Sequence, residues 1–154
     1  MRRCRVLLAV ILVALALATQ ALSQSIFDEK ADAHRQIAAA IGEASKTGKN
    51  VILDFGANWC GDCHALEAQM QGPELATLIA KSFIVVNVDV GRFDKNLDLA
   101  QKYRIPLKKG IPALAVLDPH GNLLYAQDQG QFEDARHMSY EAIKAFFERW
   151  KPKG

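Results

Sequence analysis

The sequence predicts an α/β protein, a mixed sheet with helices on both faces, and three observations carry that expectation. Two short β-branched runs, Asn50 to Phe55 (NVILDF) and Phe83 to Val90 (FIVVNVDV), read as strands buried on both faces. Stretches with helical spacing of apolar residues precede, separate and follow them. Downstream, Pro112 to Leu117 and Leu123 to Ala126 flank Asp118-Pro119-His120-Gly121-Asn122, whose residue types favour a tight turn between antiparallel strands.

In chain order, Phe27, Ala31, Ile37, Ala38, Ile41 and Ala44 predict a helix over Ile26 to Thr47, ended at Gly48 where a left-handed residue stops a helix. The first strand follows, punctuated by Gly56. Cys63, Leu66 and Met70 form a helical stripe broken by Gly72-Pro73, after which Glu74 to Lys81 resumes helical character. After the second strand, Lys95 to Tyr103 predicts a short helix, and Arg104 to Gly110 (RIPLKKG) a loop. A closing helix is expected from Ser139 to Trp150, with Ser139 as N-cap and Ile143, Phe146, Phe147 and Trp150 as its apolar face. Strands joined by helical crossovers, then an antiparallel pair, require a mixed sheet.

The 154 residues, 50% hydrophobic and 23% charged, suit one globular domain. Residues 1–23 have the layout of a cleaved secretory signal: three arginines, an unbroken apolar run from Val6 to Ala18, and Ala21-Leu22-Ser23 as a small-x-small site. The run is shorter than the roughly 20 residues a membrane span needs. The expected mature domain is therefore 24–154, exported to the periplasm or secreted, with no stable membrane insertion after processing. Removing residues 1–23 takes three of 19 basic side chains and none of 17 acidic ones, leaving a net charge of −1 and no electrostatic footprint for nucleic acid. Export also removes Cys4, leaving Cys60 and Cys63 to pair with each other or with a partner's sulfur.

Those two cysteines sit in Ala57-Asn58-Trp59-Cys60-Gly61-Asp62-Cys63-His64-Ala65-Leu66-Glu67. Locally this string admits a redox dithiol, half a zinc site or the C-x-x-C-H attachment of a c-type haem through Cys60, Cys63 and His64. Coming after a strand and opening a helix, Cys60 is expected beside unsatisfied N–H groups and the positive helix end, which favour its thiolate. Cys63, one turn inside, is placed to resolve a mixed disulfide. Asp54 interrupts the apolar strand. It is either a buried acid with a raised pKa that takes the proton of the resolving thiol, or a solvated strand end.

The segment Asp54 to Cys63 resembles the active-site segment of the thioredoxin-like superfamily, a strand with a buried aspartate leading to Trp-Cys-Gly-x-Cys. Gly110-Ile111-Pro112 is similar to that family's Gly-Ile-Pro, and Asn87-Val88-Asp89 to its second buried strand. Cys63 to Glu67 followed by Gly72-Pro73-Glu74-Leu75 resembles exported members, such as the C-terminal domain of the Dsb-type transmembrane reductase. The resemblance implies a thioredoxin-like fold with a central sheet of four to five strands and a thiol:disulfide oxidoreductase, a reductase rather than an oxidant. It implies Cys60 as the attacking thiol, Cys63 as the resolving thiol and Asp54 as the buried acid. Trp59 becomes the flanking ring, and Ile111 and Pro112, the latter cis, shape the substrate groove. The implied partners are protein disulfides and an electron donor, acting on a monomer without a cofactor.

Three departures stand out. Asp62 replaces a proline between the cysteines, and its charge should oppose the Cys60 thiolate. Val85 stands where a lysine neighbours the family's buried acid. The loop before Gly110 is longer by Pro106 to Lys109, which places Lys108 and Lys109 near the site, either to attract an acidic partner or stabilise Cys60 or simply as solvated loop charges, and Gln127 to Met138 is expected to be an adaptable surface loop. Against haem, Met70 and Met138 have no distinctive surroundings as axial ligands, and neither the buried strand nor Gly-Ile-Pro has a role. Against zinc, His34, His64, His120 and His137 lack ligand spacing. A redox-inactive binding module would be suggested by loss of one cysteine, and both are present.

Overall fold

A computed structural model describes residues 25–153; the expected signal segment lies outside them. The elements are α1 (Ala33–Thr47), β1 (Asn50–Gly56), α2 (Gly61–Met70), α3 (Pro73–Ser82), β2 (Phe83–Asp89), α4 (Leu97–Lys102), β3 (Ala113–Leu117), β4 (Leu123–Ala126) and α5 (Tyr140–Trp150). The four strands form one sheet in the order β2-β1-β3-β4. β1 runs parallel to β2 and antiparallel to β3, which is antiparallel to β4.

Period-2 alternation divides the core between the two sheet faces. Val51, Leu53 and Phe55 of β1 pack with Ile37 and Ala44 of α1, Val86 and Val88 of β2, and Leu99 of α4. Ile52 points the other way, joining Leu66 and Met70 of α2, Leu75 of α3, and Ile143 and Phe147 of α5. Every residue of β1 is buried because the strand is central and covered on both sides. Burying each large aliphatic or aromatic side chain contributes about 1.5–3 kcal/mol.

Three expectations are corrected. The first helix starts at Ala33 rather than Ile26, because Asp32 caps it by accepting from the Arg35 N–H and Asp28 accepts from Lys30 N–H in a preceding turn. β2 is an edge strand, so Ile84, Val85 and Asn87 are only half-buried. The 127–138 stretch is anchored rather than adaptable: Gln127, Phe132 and Ala135 are buried. Other sequence signals act as expected. Gly48 ends α1 in the left-handed region at φ 71°, and Ser139 caps α5 by accepting from the Ala142 N–H. Among the described residues no helix is long and apolar enough to cross a membrane.

Candidate active site

β1 delivers the chain to the rim of the sheet at Gly56, and the turn Ala57-Asn58-Trp59 leads into α2. Cys60 is the N-cap, extended at φ −84° and ψ 111°, and its Sγ accepts the Cys63 N–H at 3.1 Å. Cys60 and Cys63 are joined in a disulfide with their Cα atoms 5.3 Å apart. Cys63 is fully buried and Cys60 is 5% exposed, so a visiting group reaches the Cys60 sulfur and not the other. On reduction, the Cys63 N–H and the positive end of α2 would favour the Cys60 thiolate.

Ile111 and Pro112 lie against this rim. Their peptide bond is cis, both residues are buried, and the Ile111 carbonyl oxygen is 3.4 Å from Cys60 Sγ. Trp59 is 49% exposed and fixed from below by an Nε1–H donated to the Gly91 carbonyl at 2.7 Å.

Behind the disulfide, Asp54 is 1% exposed, and its Oδ1 has no hydrogen-bond partner among the described residues. Burial, and then the Glu67 carboxylate one turn beyond Cys63 on α2, push the Asp54 carboxyl up to about 7. The solvated alternative for Asp54 is therefore excluded. Among the described residues no cation offsets this shift. Val85 lies beside Ile52 across the β1–β2 pairing, and Asp54 itself is in register with Asn87.

Phe27 completes the rear wall. Its backbone is held by Asn58 in both directions, Phe27 N–H donating to Asn58 Oδ1 at 3.0 Å and Asn58 Nδ2 donating to Phe27 O at 2.8 Å. Its fully buried ring crowds Gly56 so closely that a Cβ there would overlap the ring and lie 3.0 Å from Cys63 Sγ. Close approach, rather than backbone conformation, is what requires glycine at this position.

A family model described as Thioredoxin-like matches residues 32–119, which include both cysteines, Asp54 and Pro112. The chain belongs to the thioredoxin-like family. A disulphide isomerase from Xylella fastidiosa Temecula1 superposes with a TM-score of 0.79 at 42% identity, covering 82% of this chain and 97% of that one. Thioredoxin-1 of Drosophila yakuba is 32% identical over 74 residues, 48% of this chain and 59% of that protein. The thiol:disulfide interchange protein DsbD of Colwellia psychrerythraea is 27% identical over 114 residues, 73% of this chain and 18% of DsbD. The chain thus spans less than two thirds of the length of these two sequence relatives.

Within this family frame, the front of the site holds what the sequence did not disclose. Asp62 does not stand as a bare charge between the cysteines. Arg136 closes on it with the backbone N–H at 3.0 Å, Nε at 3.1 Å and Nη2 at 3.1 Å. The Arg136 N–H and then its guanidinium hold the Asp62 carboxyl below the usual carboxylate range. The expected opposition to the Cys60 thiolate is correspondingly offset. Gln69 of α2 donates toward the carbonyls of Ala135 and Met138 and fixes the Arg136 turn to the active-site helix.

Gln127, at the start of the same stretch, braces the Pro112 segment by donating to the Pro112 carbonyl at 3.4 Å and accepting from the Leu114 N–H at 3.2 Å. Lys108 and Lys109 are exposed beside the rim, in a short 3-10 turn. The residues do not fit the haem alternative. The two sulfurs are bonded to each other, and the exposed His64 turns Nε2 to the Asn58 carbonyl at 2.7 Å. Among the described residues no three of His, Cys, Asp and Glu are grouped to hold a metal ion.

Proposed function

We propose that the protein is an exported thiol:disulfide oxidoreductase that reduces disulfides in protein substrates through Cys60 and Cys63. The observation that carries this reading is a cysteine pair at a helix N-terminus, one sulfur presented beside Ile111-Pro112 and the other buried in front of Asp54. The Cys60 thiolate attacks a substrate disulfide, forming a mixed disulfide and expelling one substrate thiolate. Cys63 then gives its proton to the Asp54 carboxylate and attacks Cys60 Sγ. That step closes the Cys60–Cys63 bond and releases the second substrate thiolate. Two electrons pass from the protein dithiol to the substrate, and a separate dithiol donor returns them. A carboxyl that titrates near 7 suits this proton transfer at neutral pH.

The reducing direction is supported by the two carboxylates behind the pair. Once ionised, Asp54, with Glu67 near it, opposes negative charge on the reduced sulfurs in front of it, which favours the disulfide and makes the dithiol a donor. Export is supported by the signal layout of residues 1–23, which leaves 24–154 as the mature domain of the periplasm or extracellular space.

The direct test is turnover of a disulfide-bonded model protein, together with Cys63→Ala, which should accumulate mixed disulfides through Cys60. Absence of both turnover and trapped partners overturns the reading. Equilibration with glutathione reads the direction. A reductase should lie below about −230 mV, whereas a value near about −120 mV marks a strong oxidant.

A further inference from the structure

Among the described residues four large hydrophobic side chains are exposed: Trp59, Phe93, Leu97 and Leu124. Three of them gather beside the disulfide. Phe93 and Leu97 line a groove of about 660 Å³ with Leu107, Lys108, Lys109 and Gly110. The Trp59 ring meets Phe93 edge-on at 5.8 Å, and Gly110 leads directly into Ile111, whose carbonyl faces Cys60 Sγ. The groove therefore adjoins the active-site rim through Gly110, the residue before Ile111, and continues away from it over an aliphatic and aromatic floor.

This surface is built rather than left over. Phe93 has φ 64°, a conformation a bulky side chain adopts only at a cost, and the turn around it is fixed. Gly91 N–H donates to Asp89 Oδ1 at 3.0 Å, and Arg92 N–H donates to Asp94 Oδ1 at 2.9 Å. The strained turn turns an aromatic ring outward, where it contributes least to folding.

The charge of the groove has one sign. Both charged residues lining it are lysines, and no acid lines it. Lys108 has no ion pair or hydrogen bond among the described residues, and Lys109 donates only to the neutral Gln129 amide at 3.3 Å. At the Trp59 end, Arg92 adds a cation 5.8 Å above the indole. The acids in the vicinity are otherwise engaged: Asp94 by Arg92 N–H, and Asp98 by His34. Glu133 sets its stem against Gly110 and buries Oε2 without a hydrogen-bond partner among the described residues, outside the groove lining.

We propose that this groove docks the substrate polypeptide next to its reactive cysteine and selects segments in which aliphatic side chains alternate with carboxylates. Leu97, Leu107 and Phe93 take the aliphatic groups; Lys108 and Lys109 take the acids. The inference rests on the oxidoreductase reading for the identity of the partner as a disulfide-bearing protein, but docking itself needs no redox step.

The test uses labelled, cysteine-free peptides and the intact protein at low salt, with anisotropy as the readout. A peptide alternating Leu and Asp should bind about tenfold tighter than its Leu–Lys counterpart and about fivefold tighter than a Ser–Asp one. The double variant Lys108→Glu, Lys109→Glu should invert the preference between the two leucine peptides, and Leu97→Ser should weaken both. The parent protein should reduce hydroxyethyl disulfide, a small neutral substrate, whatever the peptides show. Equal binding of the three peptides, or an unchanged preference in the lysine double variant, overturns the inference. So does binding to anionic lipid vesicles without binding to peptides. Failure of the parent protein to reduce hydroxyethyl disulfide would instead overturn the oxidoreductase reading, while the peptide affinities still decide the groove.

Discussion

Two aspartates bracket the same disulfide and live in opposite electrostatic worlds. Asp54 stands behind it, dry and without a cation, and holds its proton to about 7. Asp62 stands in front, clasped by Arg136, and stays ionised well below its ordinary range. The same functional group is thus a proton acceptor at the rear and a fixed, compensated charge at the front. What separates them is neither residue type nor distance along the chain but the presence of one guanidinium and access to water.

The largest effect is expected at the rear. Phe27→Ala empties the wall behind Gly56 and Cys63 and should cost about 3–5 kcal/mol, read by denaturant unfolding of the oxidised protein. A loss under about 1 kcal/mol would mean that this wall is not a packed core.

Asp54→Asn comes next and has a signed pH dependence. The Asp54 pKa is raised in the folded state, so its unfavourable contribution is absent below about 4 and grows as pH rises toward about 7, where the folded carboxyl also ionises. Stability of the parent should fall across that window by up to about 4 kcal/mol from this group, and the asparagine variant should lack the fall. The same variant should slow release of the mixed disulfide about 100-fold at neutral pH, measured by stopped-flow quenching.

The front gives the smallest effect and sharpens the contrast. Arg136→Ala uncovers the Asp62 charge, which should raise the pH at which Cys60 ionises and lower the potential by up to about 20 mV. In an Asp62→Asn background the same change should matter less, a non-additivity measurable by a double-mutant cycle against glutathione. Equal shifts in both backgrounds would show that Arg136 does not act through Asp62.

What the sequence discloses and what it conceals follow the same division. β1, the cysteine pair and the start of α2 are legible because each is written in adjacent residues: a β-branched run, a glycine, an N-cap, an apolar stripe. The burial of Asp54 was undecided from the chain alone, since it depends on a sheet order that puts β1 in the middle. Arg136 was invisible. It meets Asp62 across 74 positions, and an arginine near a histidine in a polar stretch looks like any solvated loop. By its spacing Phe27 reads as the first turn of a helix, and only its 31-residue reach to Asn58 shows that it serves the site instead. Gln127 gave one weak signal, a glutamine directly after a strand, but its two bonds to the Pro112 segment are tertiary.

The grip of Asn58 on Phe27 has a practical corollary. The backbone is locked against the sulfurs from almost the first described residue, whereas the other extremity, where Trp150 O accepts from Asn50 Nδ2, adjoins the far end of β1. A purification tag, fluorophore or tether belongs at the carboxyl end. Cargo fused just upstream of Phe27 would hang at the back door of the reaction centre.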